Sequence, residues 1–150
     1  MNFSFSGTPE VAAPVQRIWV RLLDPYAVAH AGPGVERVEV VDAGHFRVIT
    51  VLKLGGFKLS FTMNVELFDM IPERELRMRA RGKATGSSIE VMSRIRLEPM
   101  SEARTRLHWN ATTDIGGIVA RVGGQRLEGL ARELTQRFWD RFIAGVESGT

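Results

Sequence analysis

The sequence contains no cysteine. That absence excludes a disulfide framework, thiolate catalysis and any cysteine-bound zinc or iron–sulfur centre, and it suits a reducing compartment. Long apolar runs are also missing. The longest stretch free of Asp, Glu, Lys and Arg is Pro25 to Val35, 11 residues, well short of the ~20 that a membrane-spanning helix needs. The opening Met1-Asn2-Phe3-Ser4 lacks the basic and apolar regions of a secretory leader, so a soluble cytoplasmic protein is expected. Lysine is scarce, three residues against 17 arginines. Arginine is the better bidentate donor to carboxylate or phosphate, although codon composition produces the same bias.

What is present is ordinary globular material. The 150 residues are 44% hydrophobic and 25% charged, enough for one domain over 1–150 with a real core and too apolar for disorder. Twenty basic and 17 acidic residues leave a net charge of +3. Phe3, Phe5 and Val11 alternate with polar neighbours as in a strand. Pro14 then precedes Val15, Ile18, Trp19 and Leu22 at helical spacing, and Asp24-Pro25 reads as the N-cap and first position of a second short helix. Gly32-Pro33-Gly34 ends it.

From Val35 to Ile115 the period is two. Six strands are expected near 35–42, 45–54, 57–69, 73–82, 87–98 and 103–115, separated by short turn sequences such as Ala43-Gly44 and Gly55-Gly56. Such gaps imply an antiparallel meander. A helical pattern then runs from Ile118 to about Val146, with Ala120, Gly123, Leu127, Leu130, Leu134, Phe138 and Phe142 on one stripe. One apolar sheet face and one apolar helix stripe bury each other best when the helix lies in the hollow of a curved sheet. The expected class is therefore α+β: seven antiparallel strands around a long C-terminal helix, with two short helices between strands one and two.

Several local sequences match a known pattern. Phe5-Ser6-Gly7, Val11-Ala12-Ala13-Pro14, Leu23-Asp24-Pro25, Pro33-Gly34-Val35-Glu36, Gly55-Gly56-Phe57-Lys58 and Arg106-Leu107-His108-Trp109 lead to a closing run from Ile115-Gly116-Gly117 through Gly123-Gly124-Gln125-Arg126-Leu127 to Arg137-Phe138-Trp139-Asp140-Arg141-Phe142. Over nearly its whole length the chain resembles the carbon monoxide dehydrogenase CoxG family, within the START/Bet v 1-like helix-grip (SRPBCC) superfamily. The resemblance implies an apolar cavity and an accessory rather than catalytic role. It implies service to a molybdenum hydroxylase of the CO-dehydrogenase type, handling of a quinone- or lipid-like molecule, and recruitment to the inner face of the membrane. Some members carry a membrane-associating C-terminal tail. This sequence reads to Ser148-Gly149-Thr150 without one, so any membrane contact is expected to be peripheral.

Small residues decide between a full core and a hollow one. Ala120, Gly123 and Gly124 begin the long helical pattern, and Ala111 and Thr113 end the last strand, whereas Leu107 and Trp109 before them are large. Empty volume is therefore expected at the strand-to-helix corner. Its walls would be Phe46, Val48, Phe61, Met63, Val65 and Met78 from the early strands, and Ile95 and Trp109 from the late ones. Leu127 and Leu130 would cover it from the helix. Such walls suit an apolar ligand of roughly 300–1,000 Å³. In the competing reading the glycines let the helix approach a filled core. Periodicity leaves both open, and the resemblance favours the cavity. Gly123→Leu is expected to separate them, blocking uptake in one case and overpacking the core in the other.

Chemistry-bearing motifs are sparse. His30, His45 and His108 fall at a helix end, a hairpin and an outward strand position, and no metal site or cofactor motif is visible. No inward acid–base pair supports the alternative of a cyclase- or dehydratase-type helix-grip enzyme. Arg126 is the charge nearest the helix stripe and a candidate contact for a ligand's polar group. Arg77, Arg79 and Arg81, Arg94 and Arg96, and Arg104 and Arg106 alternate along three strands. They form either a docking surface for an acidic partner or anionic lipid, or a solvated face of cross-strand pairs such as Arg81–Glu90 and Glu75–Arg96. Without basic blocks or stacking aromatics, nucleic acid is not an expected partner.

Overall fold

The computed structural model describes residues 1–54 and 57–149. The expected turn at Gly55-Gly56 lies outside the described residues. Strands β1 (Asn2–Gly7) and β2 (Glu10–Val11) lead to helices α1 (Val15–Leu22) and α2 (Pro25–Ala31). Six strands follow: β3 (Val35–Asp42), β4 (His45–Leu54), β5 (Phe57–Ile71), β6 (Glu75–Ala84), β7 (Ser87–Pro99) and β8 (Thr105–Gly117). A 3₁₀ turn over Ile118–Val122 leads into helix α3 (Gly124–Ser148). The order across the sheet is β1-β8-β7-β6-β5-β4-β3, with every pair antiparallel, and β2 also pairs with β8. This is the helix-grip architecture expected from the alternation.

Local chemistry sets the boundaries. Asp24 accepts from the Tyr26 and Ala27 amides at 3.0 and 3.4 Å, and Pro25 follows as the first helical residue. Gly34, at φ 61°, lies so close to the Val51 carbonyl that a Cβ would come within 1.9 Å of the oxygen. A glycine is required there.

Apart from shifts of one or two residues at strand ends, two features differ from expectation. The first strand is split in two, because Thr8-Pro9 interrupts the ladder between the two segments that pair with β8. Proline has no amide hydrogen to donate, and the Pro9 carbonyl alone contributes there, accepting from the Leu107 amide at 2.9 Å. The C-terminal helix begins at Gly124 rather than Ile118. Gly123 adopts φ 108° and ψ 141°, which is incompatible with a helix interior, so Ala120 and Gly123 are not on the helix stripe. The residues before it lie against the β6–β7 hairpin turn and the start of β7. There the Ile118 amide donates to the Gly86 carbonyl at 2.7 Å, the Val119 amide donates to Ser87 Oγ at 3.2 Å, and Val119 is fully buried.

The inward sheet residues form two apolar clusters rather than one. The larger gathers α1, α2, the C-terminal half of α3 and residues such as Leu76, Ile95, Leu107 and Trp109. The smaller consists of Leu52, Phe61, Ile89, Ile115, Val119 and Leu127.

Candidate functional site

Between the two clusters lies a cavity of ≈ 240 Å³. Its walls come from both: Phe46, Val48 and Ile95 from the larger, and Leu52, Ile89 and Leu127 from the smaller. The helix covers it from Leu127 to Trp139, a length of ~18 Å at 1.5 Å per residue. The gap exists because the residues facing it at mid-sheet and mid-helix are short. Ala80, Ser93, Ala111 and Thr113 lie on adjacent strands, and Ala131 lies on α3 above them. Val91, Ser93 and Ala80 are only half-buried although they point inward, because they face this space.

The lining is hydrocarbon with a few hydroxyls. Thr50, Ser93, Thr113 and Thr135 bring hydroxyls and Trp139 an indole N–H, and among the described residues none of those lining it is ionisable. Met63 and Met78 supply flexible wall. Met63 crosses directly over Gly82, where a Cβ would come within 2.1 Å of its sulfur. At the other side the cavity reaches the loop between α2 and β3, where Gly32 and Pro33 are half-buried. Arg141 of α3 donates to the Gly32 carbonyl at 3.4 Å, and Thr50 Oγ1 donates to the Pro33 carbonyl. This loop and the half-buried Leu134 and Phe138 of α3 form the boundary nearest solvent.

Of the residues expected at the hollow, Phe46, Val48, Met63, Val65, Met78, Ile95, Ala111, Thr113 and Leu127 line it. Five do not. Phe61 is fully buried in the smaller cluster, close beside Gly82. Trp109 is covered by Trp139, with ring centroids 5.6 Å apart. Leu130 packs against the smaller cluster from the side. Ala120 and Gly123 belong to the segment that folds over the hairpin, so the strand-to-helix corner is closed by Val119 and the empty volume lies further along the helix. Sequence reasoning missed, among others, Ala80 and Ser93 on the sheet and Ala131, Thr135 and Trp139 on the helix. The 131/135/139 spacing was a signal, but the more apolar 127/130/134/138 stripe overshadowed it.

The charged candidates stay outside. Arg126 is exposed in the first turn of α3 and does not line the cavity. The arginine face is laced with ion pairs: Arg81–Glu90 at 3.1 Å, Arg94–Glu75 at 3.0 Å, and Arg104 and Arg106 both on Glu10 at 3.0 and 2.9 Å. Arg77 and Arg79 lie 3.9 Å from Asp69 and Glu66. Arg96 stands opposite Glu75 in the ladder, but Glu75 bonds Arg94 instead. Hydrogen bonds from Arg104 and then Arg106 hold the Glu10 carboxyl below its ordinary range. His45 lies 2.7 Å from Asp42, and His108 lies 2.9 Å from Glu98. The histidines do not converge, and among the described residues no three His, Cys, Asp or Glu side chains are grouped to hold a metal ion. No helix among them is long and apolar enough to cross a membrane.

Solved structures share this arrangement. A conserved protein from Geobacillus kaustophilus superposes with a TM-score of 0.86 at 20% identity, over 97% of this chain and 95% of that one. A START superfamily protein from Mycobacterium smegmatis gives 0.71 at 17% identity, covering 98% and 99%. The ZhuI aromatase/cyclase from Streptomyces sp. R1128 gives 0.70 at 17% identity, covering 99% and 93%. At these identities the likeness is one of fold, and the fold is that of the START/Bet v 1-like superfamily. No curated protein matches the sequence. The family model of CoxG, a carbon monoxide dehydrogenase subunit, matches residues 7–146, which takes in all of the sheet from β2 onward and α3 almost to its end. Sequence and architecture therefore agree, and the chain belongs to the CoxG family.

Proposed function

We propose that this protein binds and carries a hydrophobic small molecule in the cavity between sheet and α3. The observation that carries this reading is an apolar hollow left between two well-packed clusters, with no ionisable side chain among its lining residues. An apolar cavity of ~150 Å³ accepts benzene, so ≈ 240 Å³ admits a ring system larger than one benzene. A quinone- or lipid-like molecule with a long chain fits this scheme when its compact end is inside and its chain leaves past Gly32-Pro33 and Phe138. Binding is driven by apolar burial, at about 25 cal/mol per Å² removed from water.

Family membership supports an accessory role beside a molybdenum hydroxylase of the CO-dehydrogenase type, with peripheral contact at the membrane where such a ligand resides. The fold is shared with an aromatase/cyclase, but acid–base catalysis needs a side chain able to move a proton at the substrate, and the lining offers no titratable one. Carriage is therefore the better-supported function. Solvent extraction of the protein purified from its own source, followed by mass spectrometry, tests it. A stoichiometric apolar compound is the expected result. A protein that is empty when isolated and takes up no apolar compound on titration overturns the reading.

A further inference from the structure

Four hydroxyls line the cavity, and they are not equivalent. Thr50 Oγ1 donates to the Pro33 carbonyl, and Thr135 Oγ1 donates to the Ala131 carbonyl at 2.7 Å. Both are committed to the backbone. Ser93 and Thr113 have no hydrogen-bond partner among the described residues, yet neither is among the sealed, unsatisfied side-chain atoms, which are Arg21 Nε and Arg79 Nε. Their oxygens therefore open onto the space they line. Ser93 faces Ala111 in the β7–β8 ladder and Thr113 faces Val91, which makes the two hydroxyls diagonal neighbours on one sheet face, ~7–8 Å apart at the backbone. Alanines at 80, 111 and 131 leave the room around them clear.

We infer that Ser93 and Thr113 form the polar recognition point of the cavity, selecting a neutral ligand that places one carbonyl or hydroxyl oxygen between them. This rests on the proposed ligand-binding reading and adds two constraints to it. A buried hydroxyl facing hydrocarbon loses its hydrogen bond to water without compensation, so a ligand oxygen that restores the bond is preferred over a pure hydrocarbon. A carboxylate is rejected, because no cation lines the space to offset desolvation of its charge. The volume of ≈ 240 Å³ suits a body of about two fused rings, scaled from the benzene-sized cavity of ~150 Å³.

The test uses three probes of matched size on the full chain: 2-acetylnaphthalene, 2-ethylnaphthalene and 2-naphthoate, followed by calorimetry or by quenching of Trp139, which lines the cavity. The ketone is expected to bind about three- to tenfold more tightly than the hydrocarbon, the worth of one hydrogen bond, and naphthoate more weakly than both. Ser93→Ala and Thr113→Val, each removing a hydroxyl at nearly constant shape, are expected to erase the ketone preference while leaving hydrocarbon binding equal or tighter. Equal affinity for ketone and hydrocarbon in the unaltered protein overturns the inference and leaves the carrier reading standing, as does an undiminished ketone preference in the Ser93→Ala, Thr113→Val double variant. Binding of none of the probes overturns both. The ratio in the unaltered protein needs no variant to fold.

Discussion

Trp139 of α3 stacks on Trp109 of β8, with ring centroids 5.6 Å apart and planes inclined by 23°. Phe138 and Phe142 meet Trp139 edge-on at 5.0 and 5.7 Å. This aromatic group fastens the helix to the sheet at one end of the cavity, while Leu127 and Val119 close the other. Aromatic pairs of this geometry contribute about 0.5–1.5 kcal/mol beyond their buried area.

The clamp depends on a glycine across the ladder. Gly7 is the register partner of Trp109, and a Cβ on it would come within 2.6 Å of the indole Nε1. The indole is held by Trp139 and has little room to give. Gly7→Ala is expected to cost about 1–3 kcal/mol through overpacking, read as a lower urea midpoint. An unchanged midpoint contradicts the clamp.

Ala131 is the helix residue whose enlargement most directly occupies the cavity. Ala131→Leu adds hydrocarbon to space that is already empty, so the unfolding midpoint should hold or rise, by up to about 2 kcal/mol. Uptake of 2-acetylnaphthalene should fall more than tenfold. Retained binding would place the ligand elsewhere.

Gly123 and Gly129 should respond in opposite directions. Neither would meet a neighbour with an added Cβ. Gly123 sits at φ 108°, a region that side chains avoid, and Gly123→Ala is expected to destabilise by about 1–3 kcal/mol. The Gly123→Leu experiment suggested by the sequence therefore cannot separate a hollow from a full core, because backbone strain acts in both. Gly129 is an exposed interior position of α3, where Gly129→Ala should stabilise by about 0.4–1 kcal/mol. Denaturant midpoints of the two variants check the pair.

The β3–β4 hairpin carries a pH-dependent contact. The hydrogen bond that His45 donates to Asp42 raises the histidine's pKa above its ordinary 6.5, and the same bond, followed by that from the Gly44 amide, lowers Asp42 below 3.8. The histidine's contribution is complete below its unfolded value and is lost as pH rises through the raised folded one. The aspartate's is complete above its unfolded value and is lost as pH falls through the lowered folded one. The stability gap between the protein and Asp42→Asn should therefore be widest near pH 5 and shrink by pH 9, as followed by the thermal midpoint. A gap that widens toward alkaline pH refutes the assignment.

Strand alternation carried much of this fold openly. The β6–β7 register, with Arg81 opposite Glu90 and Glu75 opposite Arg96, follows from the hairpin at Ala84-Thr85-Gly86. The cavity was legible only in part. Alternation shows that Ser93 and Ala80 point inward, but not that nothing large lies above them, because that depends on where a helix from another part of the chain crosses. The break at Gly123 turns on a single φ value, and the helix face includes Trp139 because Trp109 offers it a stacking partner 30 residues earlier. Neither is a property of a local pattern.

The pairing of β1 with β8 also governs how the chain assembles. Phe3 lies against Thr113 and Phe5 against Ala111, so β1 has no partner until β8 has emerged from the ribosome. At ~5–20 residues per second, that is a wait of about 5–20 seconds with an unpaired, aromatic-bearing edge in the open. Non-local closure of this kind is slow to nucleate. Nascent chains arrested before β8 are therefore the species most exposed to aggregation and most in need of chaperone cover.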